Sequence, residues 1–157
     1  MKRVFKTIDE KIVNVVDHTL GILKKNPDTR IYIGTDSINI ADKSVFATVI
    51  AYRYNQRGAH LIFDKIRIPR ISDDDYVKRL RKEVDLSLEI AMYLNDKGIH
   101  VHYIDLDLNE DEDEGSYKVL QYGKGYCLGI GITPNTKPNE TPSARAADHI
   151  CRGIMVC

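Results

Sequence analysis

Arg30-Ile31-Tyr32-Ile33-Gly34-Thr35-Asp36-Ser37 is the stretch on which the fold turns. Its first half, Arg30 to Gly34, is β-branched and aromatic and reads as a short buried strand. Its second half places an Asp just past that strand, among residues that favour turns. Downstream, Ser44 to Tyr54 and Ala59 to Ile68 read as two more strands. Asn55-Gln56-Arg57-Gly58 joins those two as a hairpin turn, and Pro69 closes the second. Upstream, Ile8, Ile12, Val15, Val16, Leu20 and Leu23 recur at three- and four-residue steps. That spacing predicts an amphipathic helix over Thr7 to Lys25, ended by Asn26-Pro27-Asp28.

Beyond the hairpin, Ser72 reads as an N-cap followed by Asp73, Asp74 and Asp75, whose charges favour a helix N-terminus. The helix runs on an apolar stripe of Val77, Leu80, Val84, Leu88, Ala91 and Leu94 until Asn95-Asp96-Lys97-Gly98. Ile99 to Leu108 alternates as a fourth strand. Tyr117 to Lys124 reads as a short helix, Gly125 to Ile132 as a fifth strand, Thr133 to Thr141 as a loop, and Ser143 to Gly153 as a closing helix. This order predicts a single α/β domain over 1–157, with a mixed five-stranded sheet and helices on both faces.

Composition narrows the setting. The chain has 157 residues, with 43% hydrophobic and 29% charged residues, near globular averages. No stretch approaches the apolar length of a membrane span, and the charged residues Asp9, Glu10 and Lys11 leave no apolar core for a signal peptide. A soluble, cytoplasmic protein with no membrane partner is the expectation. Cys127, Cys151 and Cys157 are widely spaced and form neither a disulfide framework nor a zinc ribbon; Cys127 reads as a small buried hydrophobe. The 23 basic and 23 acidic residues cancel, but seven of the acids fall between Asp105 and Glu114. Outside that stretch 23 bases face 16 acids, so a basic body carries one acidic loop at 109–116.

The acids that could carry chemistry are dispersed along the chain. Asp36 leaves the first strand. Tyr103, Asp105 and Asp107 alternate onto one face of the fourth, where a buried carboxylate needs a metal, a base or hydrogen bonds. Asp148 lies among small residues that let its helix press on the sheet, or else faces solvent beside Arg145 or Arg152. Glu83 and Glu89 border the apolar stripe of the second helix, where glutamates are commonly just solvated. His100 and His102 share a strand face opposite Asp105, an alternative metal pair, and His149 neighbours Asp148. Arg67, Arg70, Lys78, Arg79, Arg81 and Lys82 form a basic set suited to a phosphate backbone, or a solvated helix face. Tyr52, Tyr54 and Tyr103 are candidates to stack on bases or are ordinary strand residues.

Taken in order, Gly34-Thr35-Asp36-Ser37, Arg79 through Glu89, His102-Tyr103-Ile104-Asp105, Gly123-Lys124-Gly125-Tyr126, Lys137-Pro138 and Ala147-Asp148 resemble the YkuK family of predicted ribonuclease H-like proteins. The likeness runs from about Tyr32 to Arg152. It implies a ribonuclease H-like fold and a nuclease that hydrolyses phosphodiester bonds with two Mg²⁺ or Mn²⁺ ions. By that resemblance Asp36, Glu83, Asp105 and Asp148 are the metal-binding tetrad. Asp36 would bridge the ions, Asp105 and Glu83 would hold the one that activates water, and Asp148 would complete the second. Glu89 competes with Glu83, and Asp107 with Asp105. The acidic run Glu110 to Glu114 departs from the family pattern and would repel nucleic acid unless it moves or collects cations. A catalytically weak nucleic-acid-binding or interaction module with the same fold is the alternative. A free strand edge would let copies pair into a homo-oligomer.

Overall fold

The computed structural model describes residues 2–54, 59–108, 114–137 and 139–153. The expected turn at 55–58, residues 109–113 of the expected acidic loop, Pro138 and Cys157 lie outside the described residues, and residues 114–116 of that loop are helix instead. Seven strands form one mixed sheet: β1 (Phe5–Thr7), β2 (Ile12–Val13), β3 (Arg30–Ile40), β4 (Lys43–Arg53), β5 (Ala59–Pro69), β6 (Tyr103–Leu106) and β7 (Thr133–Thr136). Their order is β2-β1-β5-β4-β3-β6-β7. The helices are α1 (Val15–Lys25), α2 (Tyr76–Asp96), α3 (Glu114–Gly129) and α4 (Pro142–Cys151). None is long and apolar enough to cross a membrane.

The sheet has seven strands rather than five because the segment read as the start of a helix folds as the β1–β2 hairpin. Glu10 turns the chain with φ 64, outside the helical region. Thr7 holds the turn, its amide donating to the Lys11 carbonyl at 2.9 Å and its Oγ1 accepting from the Lys11 amide at 3.1 Å. Helix begins only at Val15, where Asn14 accepts from the Asp17 amide at 3.0 Å as N-cap. The apolar period runs through both elements, so periodicity alone could not separate them. The hairpin extends the sheet beyond β5 through Lys6↔Phe63 and Thr7↔Ile62. Arg3, just before it, makes a paired ion contact to buried Asp64 of β5, at 2.7 and 3.1 Å.

Further boundaries moved: the fourth expected strand is strand only over Tyr103–Leu106, not from Ile99 to Leu108. The glycines at 123 and 125 do not end a helix; α3 continues through them to Gly129, with Gly123 lying against Leu106 and Val84. The stop is Gly131, which takes φ 78 while the Ile132 amide reaches back to the Cys127 carbonyl at 2.9 Å. The fifth expected strand therefore starts after the glycine, as β7, in the stretch read as a loop. Cys127 is buried within α3, as its apolar setting implies.

β3 is the central element. It pairs antiparallel with β4 along its whole length, from Arg30↔Arg53 to Ile40↔Lys43. Gly34-Thr35-Asp36-Ser37 is thus strand, not turn; the reversal comes later at Ala41, with φ 51. On its other side β3 pairs parallel with β6, but only from Tyr32↔Tyr103 to Gly34↔Asp105. The strand outruns its neighbour, and Asp36 lies where β6 departs.

Alternation divides the strands between two layers. Ile31, Ile33, Ile50, Tyr52, Ile62 and Ile104 face α1, α2 and α3 in the main core. Ala47, Val49, Ala51 and Phe63 face α4 through Ala147, Ile150 and Cys151. Gly34 belongs to this second face, and α4 crosses it so closely that an added Cβ would lie 2.6 Å from the Ala144 nitrogen and the Ser143 Oγ. Gly34→Ala is accordingly expected to destabilise the fold by about 1–3 kcal/mol through overpacking. It would also lift Ser143 off β6. Urea unfolding checks this, and an unchanged midpoint would contradict the close approach.

Candidate functional site

The acids meet at the edge left open by β6, where the carboxyl ends of two parallel strands form a crevice. Asp36 comes from β3 and Asp148 from α4, and their carboxyls share a hydrogen bond. Burial pushes Asp36 up to about 7, and the bond and charge of Asp148 and the charge of Asp107 push the same way. Asp148 moves oppositely. Burial raises its carboxyl, but the Arg152 guanidinium at 2.7 Å and the bond to Asp36 outweigh that and hold it below the usual range. The pair therefore favours ionisation of Asp148 and the proton on Asp36, first because Asp36 is buried and then because the two carboxyls are close.

Glu83 approaches from the other face of the sheet. It is 8% exposed on α2 and accepts from the Ser37 hydroxyl, which also receives Arg79 at 2.8 Å. Burial raises Glu83 well above the ordinary carboxylate range, and the charges of Asp36 and Asp107 add to it. Glu89 stands apart: its side chain is 56% exposed and lies 3.6 Å from Arg3. Six residues separate the two glutamates, which places them on different faces of α2, and only Glu83 meets β3.

Asp105 is 3% exposed and its oxygens are committed. Oδ1 accepts from Asn135 at 2.7 Å; Oδ2 accepts from the Ser143 amide at 2.9 Å and its hydroxyl at 2.5 Å. Burial raises this carboxyl, and those donors partly offset the rise. Asp105 thereby joins β6 to β7 and to the first turn of α4. Asp107, two residues on, continues the β3–β6 register to a position beside Asp36. Its side chain is 39% exposed and pairs with Lys137 at 3.1 Å, and its charge acts on both Asp36 and Glu83. Thr35, Glu83, Ser87, Asp105 and Asp107 line one narrow cleft between α2 and β6.

All these donors are carboxylate oxygens, the ligand type that Mg²⁺ and Mn²⁺ prefer. A cation between them would offset the burial, and the lesser repulsion, that raise Asp36 and Glu83, so the donor set fits such ions. Among the described residues, no three acid, histidine or cysteine side chains already converge to hold a metal. Asp148 is turned to Arg152, Asp107 to Lys137, Asp105 to Ser143 and Asn135, and Glu83 to Ser37.

The other candidates separate. His102 accepts the Ile31 amide on Nδ1 at 3.0 Å, and His100 packs against it with ring centroids 4.7 Å apart. Tyr52 is fully buried and bonded to Thr19 at 2.7 Å, so it offers no face to a base; Tyr103 is stacked on Tyr32 at 4.7 Å. Arg70, Lys78, Arg81 and Lys82 line a groove of about 630 Å³ beside the start of α2, together with Asp75 and Asp85. Arg70 is held there by Asp73 and the Ala41 carbonyl. Arg67 is not part of the groove: its register partner is Val45, which places it on the face of the sheet that α4 covers. Asn135 and Ser143, which fix Asp105, carry no sequence signal of that role; only the fold brings them to β6. A family model described as Ribonuclease H-like matches residues 11–152. No curated protein matches the chain.

Proposed function

The chain belongs to the ribonuclease H-like family, and on that premise we propose that it is a metal-dependent nuclease. The observation that carries the reading is the proton-sharing pair Asp36–Asp148, placed where β6 leaves β3 and reached by the charges of Glu83 and Asp107. Asp36, Asp148, Glu83 and Asp107 would be the metal-holding acids, with Asp36 the one whose charge or hydrogen bond reaches each of the others. Asp105 takes a positioning role, anchoring the first turn of α4 so that Asp148 arrives opposite Asp36. Bound Mg²⁺ or Mn²⁺ supplies charge stabilisation for an in-line phosphoryl displacement and a more acidic water.

The chain's own part is to surrender the Asp36 proton, to release Asp148 from Arg152 and Asp107 from Lys137, and to hold the phosphate in line. Arg152 and Lys137, once released, stand beside the site as cations for the phosphate. Arg79 stays on Ser37 and keeps Glu83 oriented. Lys78, Lys82, Arg81 and Arg70 would track the backbone along their groove. Cleavage of labelled RNA, DNA and hybrid duplexes, with and without Mn²⁺, tests this reading. Hydrolysis of any of them that requires the metal supports it; none with any of the three contradicts it.

A second reading, a binding module without turnover, is favoured by the ion pairs that occupy Asp107 and Asp148. Both readings predict that Lys78→Ala and Lys82→Ala weaken nucleic-acid affinity. Each lost phosphate contact should flatten the slope of log affinity against log salt by about 0.9 for duplex DNA. An unchanged slope in both variants would remove the groove from the interface.

A further inference from the structure

A second cluster of ligating side chains lies at the opposite end of the sheet. His18 on α1 and His60 at the start of β5 face each other with Nε2 to Nε2 at 2.8 Å. We propose that this pair is a binding site for a divalent transition metal of the imidazole-preferring class, Zn²⁺ or Ni²⁺. The site is distinct from the acids: His60 is level with Tyr52 and Ile31, whereas Asp36 is level with Ala47 and Lys65. At the usual strand rise the two levels are about 17 Å apart.

The geometry suits a metal. At 2.8 Å, with ring centroids 5.0 Å apart, the two nitrogens face each other nearly in line, one donating its proton to the lone pair of the other. Two imidazoles on tetrahedral Zn²⁺, each about 2.0–2.1 Å from the ion, stand about 3.3 Å apart. Replacing the shared proton by the ion thus needs a widening of roughly half an ångström and a turn of each ring by about 35° off the line between the nitrogens. Both rings are braced against the buried Tyr52. His60 stacks on it at 5.8 Å, His18 meets it edge-on at 5.9 Å, and Thr19 fixes its hydroxyl.

Room for the remaining ligands is present. A cavity of about 410 Å³ opens beside the pair, lined by Asp17 and Lys25 of α1 and by Tyr54 of β4's end. Two imidazoles with water completing the sphere make a readily exchanged site, and Asp17 is the acid in the lining. Burial lowers both imidazoles, with the His60 charge adding to the effect on His18, so each is in its neutral, ligating form at neutral pH. Oxygen donors at the acid site favour Mg²⁺ or Mn²⁺, whereas imidazoles favour Zn²⁺ and Ni²⁺, so the two ends select different ions. Metal here would clamp α1 onto β5.

The test is a Zn²⁺ titration of the metal-stripped full chain near neutral pH, read by the imidazole nitrogen resonances of His18 and His60. Asp36→Asn protein is titrated in parallel, to remove zinc held by the acids. The expected result is that both Nε2 resonances move together and saturate in wild type and in Asp36→Asn. Calorimetry on His18→Gln and His60→Gln should show affinity lower by at least about tenfold in each. Resonances that stay put in excess Zn²⁺ would overturn the proposal and leave a structural hydrogen bond. Undiminished affinity in both variants, folded by circular dichroism, would overturn it equally. If the variants do not fold, the wild-type resonances decide.

Discussion

Asp36→Asn is expected to lower Mn²⁺-dependent cleavage by at least about a hundredfold, the upper range seen when groups that merely support a metal ligand are lost. The same change should make the metal-free protein more stable above neutral pH. In the folded chain Asp36 keeps its proton up to about 7, against 3.8 for the ordinary group. Between those values the folded state holds a proton that the unfolded state has released, so stability falls as pH rises through that window. The shift by itself corresponds to about 4 kcal/mol. Asp148, held low by Arg152 against its burial, carries part of the same interaction with opposite sign, so the net gain in the variant is smaller, about 1–3 kcal/mol. The substituted amide still donates to Asp148 but has no proton to lose. Denaturant midpoints at pH 5 and pH 8 would show wild type weakening with pH and the variant not. Full retained cleavage in the variant would remove Asp36 from the chemistry.

Arg3→Ala is expected to destabilise the fold by about 3–5 kcal/mol, because it strands a carboxylate in the core. Asp64 is 3% exposed and the Arg3 side chain 6%. The guanidinium satisfies both Asp64 oxygens and donates a third bond to the Leu86 carbonyl at 2.6 Å. One side chain thereby ties the N-terminal segment to β5 and to α2. Removing both charges together, as in Arg3→Met with Asp64→Leu, should restore much of the loss, since the penalty lies in the unpaired ion rather than in the missing attraction. Urea unfolding of the single and double variants checks both statements. A single-variant loss below about 1 kcal/mol would mean that water reaches Asp64.

The two predictions draw on different amounts of sequence information. Asp36, Glu83 and Asp148 stand out in the sequence by their order, and the fold brings them to one end of the sheet. Glu89 stays a competitor of Glu83 in the sequence; the two part in the fold, where Ser37, on the face of β3 turned to α2, bonds Glu83. Asp105 and Asp107 look alike on an alternating strand. Asn135 and Ser143, thirty and thirty-eight residues away, distinguish them by filling the oxygens of the first. Helix α2 and strands β4 and β5 were legible because period, caps and turn residues agree there. The β1–β2 hairpin was not, because its apolar spacing also fits a helix and the break rests on the backbone of Glu10. The end of α3 was misplaced because Gly123 serves contact with Leu106, while Gly131 does the stopping.

The most direct measurement is a crystal of the protein with a nucleic-acid fragment, soaked in Mn²⁺ and read by anomalous scattering. The expected result is manganese bonded to Asp36 and Asp148, with Asp107 or Glu83 completing the set, Arg152 turned away from Asp148, and Asp105 still bound to Ser143. Nucleic acid in place with no manganese at Asp36, and Asp148 still paired with Arg152, would contradict it.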